Sequence, residues 1–115
     1  MKMDIAKLDA SAEQAAELLS ALANKNRLMI LCNLLNREMA VQPLADAVGM
    51  SQSALSQQLA KLRLARLVTT RRQGKEIYYS VASHEVEEIL LTLYGLYCAP
   101  AAADADGLVL EPVVA

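Results

Sequence analysis

The stretch PLADAVGMSQSALSQQLAKLRLARLVTTRRQGKEIYYS, residues 43–80, decides the fold, because helix, turn, helix and hairpin signals follow one another in it without a gap. Pro43 suits the first turn of a helix, where its missing N–H would have had no intrahelical partner, and Leu44, Ala45, Ala47 and Val48 supply an apolar face. Gly49 stops that helix. Ser51 is an N-cap candidate for the next one, and Leu55, Leu59, Leu62 and Ala65 recur behind it at the spacing of a core-facing stripe. The opposite face carries Gln52, Ser53, Ser56, Gln57 and Lys61, side chains able to bond base edges or phosphates from a helix lying in a groove. Such residues also serve simply to solvate a helix, so this face takes its meaning from the segment that follows.

That segment is a basic hairpin. Val68, Thr69 and Thr70 favour a strand, Gln73, Gly74 and Lys75 a turn, and Ile77, Tyr78, Tyr79 and Val81 a return strand. Residues 47–75 hold six basic side chains (Lys61, Arg63, Arg66, Arg71, Arg72, Lys75) and no acidic one, in a chain of formal net charge −2. No Lys or Arg follows Lys75, whereas Glu76, Glu85, Glu87, Glu88, Asp104, Asp106 and Glu111 do. The charge is segregated, and a basic stripe on a helix and wing reads as a phosphate footprint on an acidic protein; a merely solvated charge run is the plainer alternative. In this order the signals give the expected fold class: mainly α with a small β-wing, a winged helix-turn-helix. Gln52, Ser53, Ser56, Gln57, Lys61, Arg71, Arg72 and Lys75 are its expected DNA contacts.

Outward from this segment the pattern is helical. Ser11 with Gln14 resembles a capping box before Ala15, Leu18, Leu19 and Leu22, and Asn24 is a cap candidate before Leu28, Met29, Leu31, Cys32 and Leu35. Residues 39–41 form a short strand leading into Pro43. Ser83 caps a last helix holding Val86, Ile89, Leu90, Leu93, Leu96 and Tyr97, weakened by Gly95. Five helices and a hairpin result. With 115 residues, 55% of them hydrophobic, and neither Trp nor Phe, one Leu- and Ala-rich core of packed helices is expected.

The expected organisation is one dimerising DNA-binding domain over residues 1–98 and an acidic, mostly disordered tail over residues 99–115. Residues 1–10 alternate in charge where a signal peptide would be apolar, and apolar stretches are interrupted before a membrane span, so a cytoplasmic, nucleoid-associated protein without a membrane partner is expected. The last helix is apolar over most of its circumference, more than one small domain hides, which points to a homodimer. Two-fold symmetry would place two reader helices on successive major-groove turns, so the natural target is a palindromic double-stranded operator with half-sites about one helical turn apart. No CxxC, paired ligand set or Gly-rich fingerprint supports an enzyme.

Residues 12–98 resemble the ArsR family of winged-helix repressors through ALANKNRLMILCNLL (residues 21–35), PLADAVGMSQSALSQQLAKLRLARLV (residues 43–68) and RRQGKEIYYSV (residues 71–81). The resemblance implies the fold and DNA binding. Members of that family that bind thiophilic metals carry a Cys-x-Cys cluster, whereas here Cys32 is followed by Asn33 and Leu34. Members that bind zinc across the last helices use Asp and His, whereas His84 is the sole histidine and Gly95 falls where another ligand would be wanted. His84 with Glu87 or Glu88 reads as a surface group, and neither metal nor cofactor is expected.

The remaining pair, Cys32 and Cys98, is similar in placement to that of the family's thiol-based branch of sulfane-sulfur sensors. The resemblance implies that a persulfide or polysulfide donor links Cys32 and Cys98 through added sulfur, that the operator is then released, and that the genes controlled serve sulfide detoxification. The alternatives are a plain disulfide redox regulator, an anti-silencing activator on the same fold, and a metal-responsive repressor. The residues themselves also allow two inert core thiols, since Cys is among the most buried residue types, Cys32 sits in an apolar stretch read as mid-helix, and Cys98 lies by a helix C-terminus.

Overall fold

The computed structural model describes residues 2–98; the tail expected over residues 99–115 lies outside them. The order is α1 (Ile5–Ala10), α2 (Ala12–Leu22), α3 (Lys25–Asn33), β1 (Met39–Ala40), α4 (Val41–Val48), α5 (Gln52–Leu64), β2 (Val68–Gln73), β3 (Glu76–Val81) and α6 (His84–Tyr97). This is the mainly helical winged architecture, with one helix more than the sequence pattern marks. The additional helix, α1, is capped by Asp4, whose carboxylate accepts from the Lys7 N–H at 3.3 Å. It also removes the capping box expected at Ser11. That residue closes α1 as its C-cap, with φ −114° and ψ 8°, and its hydroxyl makes no cap bond to α2.

The chain forms two compact units, residues 1–83 and the part beginning at His84. The first unit holds the core Leu22, Ile30, Leu31, Leu34, Leu44, Ala45, Leu55, Leu59, Leu62, Leu67 and Val68, all at most 5% exposed. Burying a Leu of this kind contributes about 1.5–3 kcal/mol. Asn24 caps α3 as expected, accepting from the Arg27 N–H at 3.0 Å, and Ser51 caps α5, accepting from the Ala54 N–H at 3.1 Å. Arg27 also donates from Nε to the Ala21 carbonyl at 2.6 Å and from a guanidinium N–H to Gln58 Oε1 at 3.2 Å, so it ties the end of α2 and the middle of α5 to the start of α3.

The turn between α4 and α5 depends on Gly49. At φ 70° and ψ 36° it reverses the chain in the left-handed region, while its N–H donates to the Asp46 carbonyl and the Met50 N–H to the Ala45 carbonyl. The end of α5 repeats this pair of bonds, from Arg66 to the Arg63 carbonyl and from Leu67 to the Leu62 carbonyl, each at 2.9 Å. There the left-handed position is held by Arg66 at φ 65°. The chain turns so that Leu67 and Val68 continue the buried stripe of Leu55, Leu59 and Leu62, and Ala65, expected in that stripe, is exposed; Ala47 of α4 is exposed as well.

The strands make one antiparallel sheet of order β1-β3-β2, with Met39 opposite Tyr79 and Arg71 opposite Tyr78. Gly74, at φ 64°, takes the first central position of the two-residue hairpin turn, where a primed turn demands positive φ. In the second unit, α6 buries Val86 and Leu90 and exposes Leu91, Tyr94, Leu96 and Tyr97. No helix among the described residues is long and apolar enough to cross a membrane.

Candidate nucleic-acid interface and cysteines

The α4–turn–α5 pair places the polar side chains expected at DNA. Gln52, Ser53, Ser56, Gln57 and Lys61 are all exposed, because burial of Leu55, Leu59 and Leu62 fixes the rotation of α5. At 3.6 residues per turn Ser53 and Gln57 fall opposite that stripe, Gln52 and Ser56 on one flank and Lys61 toward the other. Gln52 donates from Nε2 to Gln42 Oε1, and Gln42 donates from its own Nε2 to Asp46 at 2.9 Å, so the first side chain of α5 is braced against α4. Lys61 lines a surface hollow of about 330 Å³ with Glu17, Ser20, Ala21, Arg27 and Leu62, which sets it on the α2 side of the helix.

The wing divides its cations. Arg72 and Lys75 are exposed and enter no ion pair among the described residues. Arg71 is engaged. Its Nε donates to both Glu38 carboxylate oxygens at 3.0 and 3.2 Å, Nη2 to Oε1 at 2.5 Å, and Nη1 to Gln73 Oε1 at 2.8 Å. The guanidinium also lies 5.0 Å from the centroid of the Tyr78 ring, its cross-strand neighbour. The hydrogen bonds from Arg71 hold the Glu38 carboxyl below its ordinary range, and the same bonds raise the Arg71 guanidinium. A lowered carboxylate keeps its pairing above its ordinary value and loses it only as pH falls through the depressed one, so the pair is closed at neutral pH. Sequence pattern gave no sign of Glu38, because its partner stands 33 residues away.

Cys32 and Cys98 are both solvent-exposed. Cys32 is not mid-helix: α3 ends at Asn33, which places this thiol in the last turn. Around it Asn33 donates to the Met29 carbonyl at 2.8 Å, and Arg37 returns to Asn33, donating to its carbonyl at 2.7 Å and to Oδ1 at 3.3 Å. A cation on the exposed C-terminal carbonyls offsets the negative end of the helix dipole. Cys98 directly follows α6, in the other unit, and its N–H donates to the Tyr94 carbonyl at 2.8 Å. His84 stands 3.7 Å from Glu87 and 3.6 Å from Glu88 on the exposed first turn of α6. Among the described residues no group of three or more His, Cys, Asp or Glu side chains is placed to hold a metal ion.

A helix-turn-helix with a polar-faced second helix and a cationic wing defines a DNA-binding transcriptional regulator. Residues 24–70 match the model of the family described as bacterial regulatory protein, arsR family. The nodulation protein NolR of Rhizobium meliloti is 50% identical over 103 residues, which cover 90% of this chain and 81% of that protein. Among solved structures, reduced HlyU from Vibrio cholerae is similar with a TM-score of 0.75 at 42% identity, covering 80% of this chain and 97% of that one. The transcriptional repressor BigR from Xylella fastidiosa is similar with a TM-score of 0.80 at 35% identity, covering 85% and 100%. The chain belongs to the ArsR family of transcriptional regulators and is not an enzyme.

Proposed function

We propose that this chain is a homodimeric repressor that holds a palindromic duplex operator through Gln52, Ser53, Ser56, Gln57 and Lys61, with Arg72 and Lys75 on the flanking phosphates, and releases it when sulfur bridges Cys32 and Cys98. The observation that carries the sensing half is the exposure of both thiols, which leaves them open to a small sulfur donor where buried thiols would be inert. Each added sulfur atom comes from a persulfide that departs as its thiol. Closing the bridge removes two electrons and two protons from the pair, which a further persulfide takes up on cleavage to thiol and sulfide. A protein of this kind works in the cytoplasm beside the nucleoid and controls genes that oxidise or detoxify sulfide. The exposed Ile5, Leu8 and Leu19 of the first unit, and the exposed Leu91, Tyr94, Leu96 and Tyr97 of α6, supply apolar surface for a second copy to cover.

A plain disulfide switch is the second reading, favoured by the similarity to a regulator solved in a form named reduced. The test is operator binding by wild type, Cys32→Ser and Cys98→Ser, on a duplex selected from a randomised library, before and after a glutathione persulfide donor. Wild type is expected to lose roughly a hundredfold in affinity, about 2.7 kcal/mol of differential stability, while both variants bind and no longer respond. Full induction of both single variants would contradict a paired-cysteine sensor.

A further inference from the structure

We propose that Glu38 is a positioning residue for DNA binding, whose salt bridge to Arg71 latches the wing to the turn leaving α3. Arg71 has five N–H donors, and Glu38 and Gln73 engage the Nε, one Nη1 and one Nη2 hydrogen. One guanidinium face lies toward Tyr78. The pair is electrically neutral, so an approaching phosphate meets Arg72 and Lys75, with Glu76 beside them at the tip, as the wing's remaining charges and Arg71 as part of its frame. Glu38 itself stands on a short, held turn. Asn36 takes φ 62°, and Arg37 bonds back to Asn33 at the end of α3, so consecutive residues fasten the turn in opposite directions: Arg37 to the helix that carries Cys32, Glu38 to β2 of the wing. The β1 ladder ends where Ala40 pairs with Tyr78, so beyond it the hairpin is two-stranded, and at that level a bidentate fork on Arg71 fixes an angle as well as a distance.

The inference rests on the reading that the wing lies on DNA, and the experiment separates the two. Reduced full-length protein is titrated by fluorescence anisotropy against the library-selected duplex and against random duplex, over a range of salt, for Glu38→Gln, Arg71→Lys, the double variant and Arg72→Ala. Lys keeps the charge of Arg71 and loses its fork. With Glu38 as a latch, Glu38→Gln and Arg71→Lys each weaken binding roughly five- to tenfold with the salt slope unchanged, and the double variant is no weaker than either single one. Thermal stability stays near that of wild type, since an exposed ion pair contributes little to it. If Arg71 instead grips phosphate against competition from Glu38, then Glu38→Gln tightens binding and steepens the salt slope, and the proposal is overturned, as it is by unchanged affinity in both single variants. Arg72→Ala reports on the wing itself: a flatter slope keeps the wing on DNA whatever Glu38 does, and an unchanged slope removes it.

Discussion

Arg66 occupies a backbone position that suits glycine. Its φ of 65° closes α5 with the same bond pair that Gly49 makes at the end of α4, yet a side chain with a Cβ is strained there by roughly 1–2 kcal/mol. Glycine would relieve that strain and give back part of it as chain entropy. Arg66→Gly is therefore expected to stabilise the fold by about 0.5–1 kcal/mol, roughly 2–6 °C in melting temperature, and a calorimetric scan showing a lower melting point would contradict the strain argument. At this scale the sequence was legible where donor and acceptor lie within one turn. Asn24, Gly49 and Ser51 each act on neighbours three or four residues away, so their types alone mark the helix ends. Ser11 has the right type but already closes α1, and the Glu38–Arg71 pair joins positions that only the folded sheet brings together.

At the scale of elements, the proposed interface assigns separate contributions to the rotation of α5 and to the divided charge of the wing. In that reading, side chains opposite the Leu55, Leu59 and Leu62 stripe would reach bases, whereas cations on the hairpin would reach phosphates, contacts that carry no sequence information. Replacing Gln57 by Ala is expected to cost about 1–3 kcal/mol on the selected duplex with little change on random DNA. Replacing Arg72 and Lys75 by Ala should weaken both duplexes alike and flatten the salt dependence by about one unit for each lost phosphate contact. Equal losses for Gln57→Ala on both duplexes would show that α5 does not read sequence. The helix-turn-helix and wing were legible because period-3.6 and strand-forming segments are separated there by Gly49 and Gly74. The first helix was not: α1 has six residues and none of them is buried, so no apolar stripe announces it. The end of α3 was obscured for the opposite reason. Its apolar run continues through Leu34 and Leu35 past the helix boundary at Asn33, which made Cys32 look central when it lies in the last turn.

At the scale of the whole molecule, the proposed regulation would join the two units of the chain, for Cys32 belongs to the first unit and Cys98 directly follows the helix of the other. A bridge between the two thiols would fix α3 and α6 relative to each other, and any geometry that separates the two reader helices of a dimer from groove spacing weakens both half-sites at once. The length of that bridge distinguishes the chemistries: a direct disulfide needs Cα atoms within about 7 Å, whereas added sulfur spans a wider gap. The family and its helix-turn-helix and wing could be read in the chain because they rest on local pattern, while the proposed sensing chemistry would depend on a meeting of two distant residues that no local pattern encodes. The most direct measurement is the intact mass of the unreduced protein after treatment with glutathione persulfide, taken on the fraction that has left the selected duplex. The expected result is a single subunit carrying added sulfur and lacking two hydrogens, with neither change in Cys32→Ser or Cys98→Ser as a closed bridge. Loss of two hydrogens with no added sulfur would replace the sulfur bridge by a plain disulfide, and released protein of unchanged mass would contradict thiol sensing altogether.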